Sequence, residues 1–172
     1  MHKNGKDCGF GLAFLDKEEL EAALPPLFDL LYSNMKDITP LLPYADERKE
    51  WLEAVLPAMK KEQRQIILAQ RDGALAGFLQ YYINGELLMI EEVQLKECFR
   101  STSLILRFAR FLCTLAGEGV RFVEAYAHRL NTYSRAVIAS LGMKEIGEIS
   151  DIGAIHYRVD AAPLIKRFRK IE

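Results

Sequence analysis

The sequence is poor in the residues that build disulfide bonds and metal centres. It has three cysteines, an odd count without metal-ligand spacing, and its three histidines are scattered along the chain. The cysteines are Cys8, Cys98 and Cys113. These shortages predict reduced thiols and no bound metal.

An excess of one charge and a long apolar run are also missing. Basic and acidic residues number 23 and 24, with a pI near 6.3, so nothing indicates a nucleic-acid partner. No apolar run approaches the about 18 residues of a membrane span, and no signal peptide is present. We therefore expect a cytoplasmic protein without a membrane partner. With 172 residues, 50% of them hydrophobic, we predict a single domain over residues 1–172.

Hydrophobic periodicity predicts seven strands and five helices. The strands are expected over residues 10–15, 65–70, 74–83, 87–97, 120–127, 143–149 and 154–159. The helices are expected to begin near Asp16, Asp46, Ser103, Asn131 and Ala161. Pro25 and Pro26 lie inside the first helix, so we predict a kink or two helical pieces there.

Turn residues and connections indicate a mixed sheet. Asp72-Gly73 and Asn84-Gly85 are typical hairpin turns, so the second, third and fourth strands should form an antiparallel meander. The strand, helix and strand that follow imply a parallel pair. We therefore predict an α/β fold of the α+β type with a mixed sheet, in the order β-α-α-β-β-β-α-β-α-β-β plus a short C-terminal helix.

Residues 86–105 join a strongly apolar strand to a strongly periodic helix. Apolar side chains occupy both parities of the strand, which is typical of a strand covered on both faces. The turn at residues 99–103 brings three hydroxyl groups and Arg100 to a helix N-terminus, which suits a phosphate or another anion. Simple helix capping by serine or threonine is the alternative interpretation.

In this order the elements resemble the GNAT (GCN5-related N-acetyltransferase) family over nearly the whole chain. Residues 65–78 are similar to the family's second and third strands, and residues 91–105 align with its cofactor segment without a gap. Asn131, Ser134 and Gly142 lie at the spacing of its Asn-x-x-Ala and terminal glycine pattern. The resemblance implies a GNAT-like acyl-CoA N-acyltransferase fold and transfer of an acetyl group from acetyl-CoA to a primary amine.

The family's cofactor turn has small residues where backbone amides approach the coenzyme A pyrophosphate. Ser103 keeps a small side chain at the first of these positions, whereas Ile105 puts a β-branched one at the second. We therefore expect cofactor binding that is weaker than usual but real. By resemblance the cofactor-binding residues are Val93, Gln94, Leu95, Arg100, Ser101, Thr102, Ser103, Leu104, Ile105, Asn131 and Ser134.

Amide formation needs a group that accepts the amine's proton. By resemblance this group is a carboxylate on the fourth strand, and we prefer Glu92 to Glu91. Because adjacent strand residues face opposite sides, at most one of the two should face the cleft. Either carboxylate could instead be structural, paired with a cation such as Arg100 or Arg121.

The departing thiolate needs a proton, which many family members supply from a tyrosine. Ile138 occupies that position here and cannot donate a proton. Tyr133, on the first turn of the same helix, is the candidate replacement, although a tyrosine of the core or surface would fit the same pattern.

Other function classes fit parts of the sequence. A GNAT-fold module that has lost catalysis and binds a ligand or protein partner would explain the glycine-poor turn and Ile138. A Rossmann domain fits poorly, because the turn lacks the three-glycine fingerprint. By resemblance the acceptor, a small-molecule or peptide amine, enters between the loop at residues 34–45 and the hairpin at 150–154. A homodimer is left open.

Overall fold

The computed structural model describes residues 9–39, 42–61, 63–100, 103–117 and 119–169. The order of strands and helices in these residues confirms the predicted order. The strands are β1 Gly11–Phe14, β2 Gln65–Arg71, β3 Ala74–Asn84, β4 Leu87–Leu95, β5 Phe122–His128, β6 Lys144–Ile149 and β7 Ala154–Asp160. The α-helices are α1 Leu20–Met35, α2 Tyr44–Lys60, α3 Leu104–Leu115, α4 Thr132–Ser140 and α5 Ala161–Arg169.

The strands form one seven-stranded sheet in the order β1-β2-β3-β4-β5-β7-β6. Asp72 and Gly73, both with positive φ, make the tight turn between β2 and β3. β4 and β5 pair in parallel across the α3 connection, whereas the other described neighbours pair antiparallel. The prediction of a mixed sheet is therefore confirmed.

Helices pack on both faces of the sheet. α3, α5 and part of α4 cover one face, where Leu79 and Tyr81 of β3 belong to the core. α1 and α2 cover the other face, where Ile66 of β2 and Phe78 of β3 belong to a second cluster. The neighbours Phe78 and Leu79 are thus buried on opposite faces, as expected for a strand covered on both sides. α1 also contacts β4, which brings the end of this helix to the candidate site.

α1 is one continuous helix, so the alternative of two helical pieces at Pro25 and Pro26 is wrong. The N–H groups that these prolines lack would have bonded the carbonyls of Glu21 and Ala22. Both of those residues are exposed, so water can replace the missing donors and the helix continues.

The predicted start of α2 is also corrected. The helix begins at Tyr44 after Pro43, so Asp46 lies in the first turn and is not the capping residue. A carboxylate in the first turn still stabilises the helix, because it faces the positive end of the helix dipole.

None of the described helices is long and apolar enough to cross a membrane. Within the described residues, no group of three or more His, Cys, Asp or Glu side chains could hold a metal ion.

Candidate active site

A cleft opens where β4 and β5 separate. In the described part of the sheet their pairing ends at Ile90 and Ala125, although β4 continues to Leu95 and β5 to His128. The gap between the strand ends has a volume of about 420 Å³, and the end of α1 and α4 complete its walls. On the edge of β4 that lies toward β5, backbone groups beyond Ile90 therefore face the cleft, whereas the other edge stays paired with β3.

A β-bulge brings two carboxylates into this cleft. Gln80 of β3 is opposite Glu92, whereas the next residue, Tyr81, is opposite Ile90, so Glu91 is the extra residue. Glu91 and Glu92 both line the cleft. The prediction that at most one of them would face it is wrong, because strict alternation holds for a regular strand and not across a bulge.

Glu91 is held by two donors. Its Oε2 accepts hydrogen bonds from Arg64 Nε at 2.6 Å and from Gln80 Nε2 at 2.9 Å. The Arg64 and Glu91 side chains are 30% and 18% exposed, so the ion pair is partly shielded from water. The ion pair that we considered for this carboxylate exists, but its partner is Arg64 and not Arg100 or Arg121.

Glu92 has no cation against it among the described residues. Its Oε2 accepts a hydrogen bond from Gln94 Nε2 at 2.9 Å. Burial raises the pKa of Glu92 to about 7, the Gln94 hydrogen bond opposes this rise, and the charge of Glu91 adds to it. A carboxyl group with a pKa near neutrality can accept and release a proton at neutral pH, which suits a general base.

Hydrogen bonds continue from Glu92 to the turn before α3. The Gln94 side-chain oxygen accepts from Asn34 Nδ2 at 2.9 Å, and the same nitrogen donates to the carbonyl of Leu95 at 3.1 Å. Asn34 Oδ1 accepts from Arg100 Nη2 at 2.6 Å. Asn34 is near the end of α1, so this network ties α1 to β4 and to the predicted anion site.

Solved structures that match this architecture include acetyltransferases of the GNAT family. An acetyltransferase of the GNAT family from Staphylococcus aureus Mu50 is 11% identical, with a TM-score of 0.71 over 89% of this chain and 99% of its own. The paia N-acetyltransferase of Thermoplasma acidophilum, solved with coenzyme A, is 14% identical, with a TM-score of 0.67 over 88% and 99%. This chain has the GNAT fold.

A third such structure is the spermidine N-acetyltransferase of Vibrio cholerae, solved with CoA and spermine. It is 10% identical, with a TM-score of 0.65 over 91% of this chain and 98% of its own. No protein-family profile and no curated protein matches the sequence. The structure therefore establishes the GNAT fold. These sequence identities are too low to assign the substrate of any of these proteins to this chain.

The predicted cofactor turn of the GNAT fold is described in part. Ser101 and Thr102, two residues of the predicted turn, lie outside the described residues. Ser103 precedes α3 and makes no side-chain capping hydrogen bond in the described structure. Leu104 is fully buried in the core, so a cofactor contact could come only from its backbone, whereas Ile105 lines the cleft.

Tyr133 lies beside this turn. Its hydroxyl donates to the carbonyl of Arg100 at 2.8 Å, and the Arg100 guanidinium lies 5.9 Å from the centre of its ring. Burial raises the pKa of Tyr133, and the nearby Arg100 charge opposes the rise. Ile138, at the position of the family's tyrosine, is buried in the wall of the cleft.

The other predicted cofactor residues lie together. Val93, Gln94 and Leu95 of β4 line the cleft, as do Asn131 and Ser134 at the start of α4. Asn131 caps α4, because its side chain accepts from the backbone N–H of Ser134 at 3.0 Å. The cap and a place in the cleft wall are thus compatible, as the sequence suggested.

Sequence reasoning missed Arg64 and Asn34. Asn34 is 60 residues from its partner Gln94, and Arg64 is 27 residues from Glu91, so no local pattern could have paired them. It also missed the buried Glu124 on β5. Glu124 accepts hydrogen bonds from two residues of β7, His156 Nε2 at 2.7 Å and Arg158 Nε at 2.6 Å, and it does not line the cleft.

Proposed function

We propose that the protein is an acyl-CoA-dependent N-acyltransferase that moves an acetyl group from acetyl-CoA to a primary amine without a covalent enzyme intermediate. The observation that carries this proposal is Glu92, a carboxyl group with a pKa of about 7 at the point where β4 and β5 separate. A protonated amine cannot attack a thioester, so a base of this strength beside the cleft has a direct use.

The residues of the cleft fit coenzyme A. Arg100 and the N-terminus of α3 supply positive charge for a pyrophosphate, and the free edge of β4 supplies backbone groups for an extended amide-containing arm. Acetyl-CoA would supply the activated acyl group. Val93, Gln94 and Leu95 would hold it, and a backbone N–H of this segment would polarise the carbonyl.

Glu92 would accept the amine's proton, directly or through water. Its Oε1 accepts no hydrogen bond from the described residues, so this oxygen can receive the proton while Gln94 holds Oε2. Glu91 is less suited, because its Oε2 already accepts hydrogen bonds from Arg64 and Gln80. Tyr133 is the proposed donor to the departing thiolate, and it would exchange its hydrogen bond with the Arg100 carbonyl to reach it.

The proposed acceptor end of the cleft has several apolar side chains, with Thr39 and His128 as polar neighbours. Met35, Ile38 and Ile152 line it, and Ile152 is 63% exposed on the turn before β7. Glu91, the further carboxylate in the cleft, is neutralised by Arg64. These features support a small-molecule or peptide acceptor that presents one amine beside an apolar group, rather than a polyamine that needs several free carboxylates.

Thiol release from acetyl-CoA, measured against a panel of amines, tests the proposal. We expect turnover with apolar primary amines, and Glu92→Gln should abolish most of it while leaving coenzyme A binding unchanged. Calorimetry with acetyl-CoA tests the alternative of an inactive module, which the glycine-poor turn and Ile138 favour. No binding at near-millimolar ligand, or acceptors restricted to hydroxyl compounds, would overturn the proposal.

A further inference from the structure

We infer that Gln94 and Asn34 are positioning residues that hold Glu92 in place as the base, and that Arg100 sets the orientation of both amides. This inference rests on the proposed function. It goes beyond that function, because it assigns roles to two side chains that take no proton themselves and links the base to the predicted anion site.

The direction of every hydrogen bond in this network follows from its cationic end. An arginine side chain has donors and no acceptor, so the oxygen of Asn34 must face Arg100, at 2.6 Å. The Asn34 amide nitrogen then faces Gln94 and the Leu95 carbonyl, and those two bonds use both of its hydrogens. The oxygen of Gln94 is therefore committed to Asn34, and its nitrogen must face Glu92.

This fixed orientation matters because a reversed Gln94 would have the opposite effect. With its nitrogen toward Glu92, Gln94 donates to Oε2 at 2.9 Å and favours the charged, proton-accepting form. With its oxygen there, Glu92 would have to keep its proton to make a hydrogen bond. Gln94 is 6% exposed, so it has little water with which to replace a lost partner.

Other charged and titratable groups line the same cleft. On the segment of β4 and the turn after it they are Glu91 and Arg100, on β5 they are Tyr126 and His128, and on α4 there is Tyr133. The end of α1 contributes the uncharged Asn34 and Met35, and the turn after it contributes the uncharged Ile38 and Thr39. Gln94 is the described residue that donates to Glu92, so Glu92 is the titratable group that its loss should affect directly, while Asn34 loses one acceptor.

Gln94→Leu and its matched control Gln80→Leu test the inference. Gln80 is also a buried β-strand glutamine, 3% exposed, and it donates to Glu91 with the same 2.9 Å distance. Glu91 keeps Arg64 as a partner when Gln80 is lost. Both variants thus remove one amide from the core, but only Gln94→Leu removes the hydrogen bond to Glu92.

The first measurement is a ¹³C NMR titration of the glutamate carboxyls, with the Glu92 signal assigned from Glu92→Gln. We expect Gln94→Leu to raise the proton affinity of Glu92 roughly tenfold, the effect of one charged hydrogen bond. Asn34→Ala should shift the Glu92 titration in the same direction, because the side-chain amide of Gln94 is then free to flip. Gln80→Leu should leave the proton affinity of Glu92 unchanged.

The second measurement is the pH profile of kcat/KM for thiol release. The acidic limb of the profile should move to higher pH by the same amount in Gln94→Leu and stay in place in Gln80→Leu. An unmoved Glu92 titration in Gln94→Leu, or an equal shift in Gln80→Leu, overturns the inference. The NMR titration does not depend on turnover. An inactive wild-type protein would therefore refute the proposed function, while the titration would still test the role of Gln94 and Asn34.

Discussion

Replacing Glu92 by glutamine should stabilise the folded protein at high pH. Glutamine keeps the shape of the side chain but cannot ionise, so it removes the cost of burying a charge. The pKa of Glu92 rises from an ordinary 4.5 to about 7 in the folded protein. At about 1.4 kcal/mol for each tenfold change in proton affinity, the charged form of Glu92 costs about 3 kcal/mol of stability.

The pH range of this effect follows from the direction of the pKa change. Because folding raises the pKa, the folded state binds the proton more tightly than the unfolded chain. Wild-type protein therefore loses stability as the pH rises from 4.5 to about 7, and the loss is complete above that range. Glu92→Gln should match the wild-type free energy of unfolding near about pH 4 and exceed it by about 3 kcal/mol near about pH 8.

Urea unfolding, followed by the fluorescence of the single tryptophan, Trp51, measures these free energies at both pH values. Glu91→Gln is the matched control, because it leaves Arg64 without its charged partner and should destabilise the protein. If Glu92→Gln is no more stable than wild type near about pH 8, the charged form of Glu92 is well solvated and its assignment as a base of raised pKa is refuted.

Three further variants test the cofactor turn and the site's framework. Arg100→Ala should weaken coenzyme A binding on the order of 10- to 100-fold in calorimetry, less at high salt, whereas Arg121→Ala should not weaken it. Ile105→Gly should tighten binding by relieving crowding, and it should reduce helix stability by up to about 1 kcal/mol; unchanged affinity in both turn variants would leave that turn as a simple helix cap. Gly77→Ala should lower the melting temperature, since its Cβ would lie 2.5 Å from the Gln94 carbonyl oxygen; an unchanged melting temperature would show that β4 can shift.

The fold was predictable because local patterns along the chain agree with its tertiary structure. Alternating and periodic apolar residues give the strands and helices, and the turn at Asp72 and Gly73 sets the β2–β3 hairpin. The alternative of two helical pieces failed at Pro25 and Pro26, where the outcome depends on whether the affected carbonyls reach water. That exposure is a property of tertiary packing, which the local sequence does not contain.

The candidate site was predictable only as a set of neighbouring residues. The resemblance placed Glu91, Glu92 and Arg100 correctly on β4 and the turn after it, but it could not show the bulge at Glu91. A bulge is a mismatch between two strands, so it is defined by the register of β3 against β4 and not by either strand alone. For the same reason the contact from Asn34, which comes from α1, was outside the reach of sequence reasoning.

The bulge and the network together explain how two adjacent glutamates acquire different chemistry. Without the bulge, Glu91 and Glu92 would point to opposite faces and only one would meet the cleft. With it, both lie in the cleft, but Arg64 stabilises the charge of Glu91, whereas Glu92 has a neutral amide as its donor. A cation at Glu92 would lower its pKa and weaken it as a base, and no donor at all would keep it protonated. A single amide hydrogen bond has an intermediate effect on the pKa. Asn34 and Arg100 keep the nitrogen of that amide, on Gln94, facing Glu92.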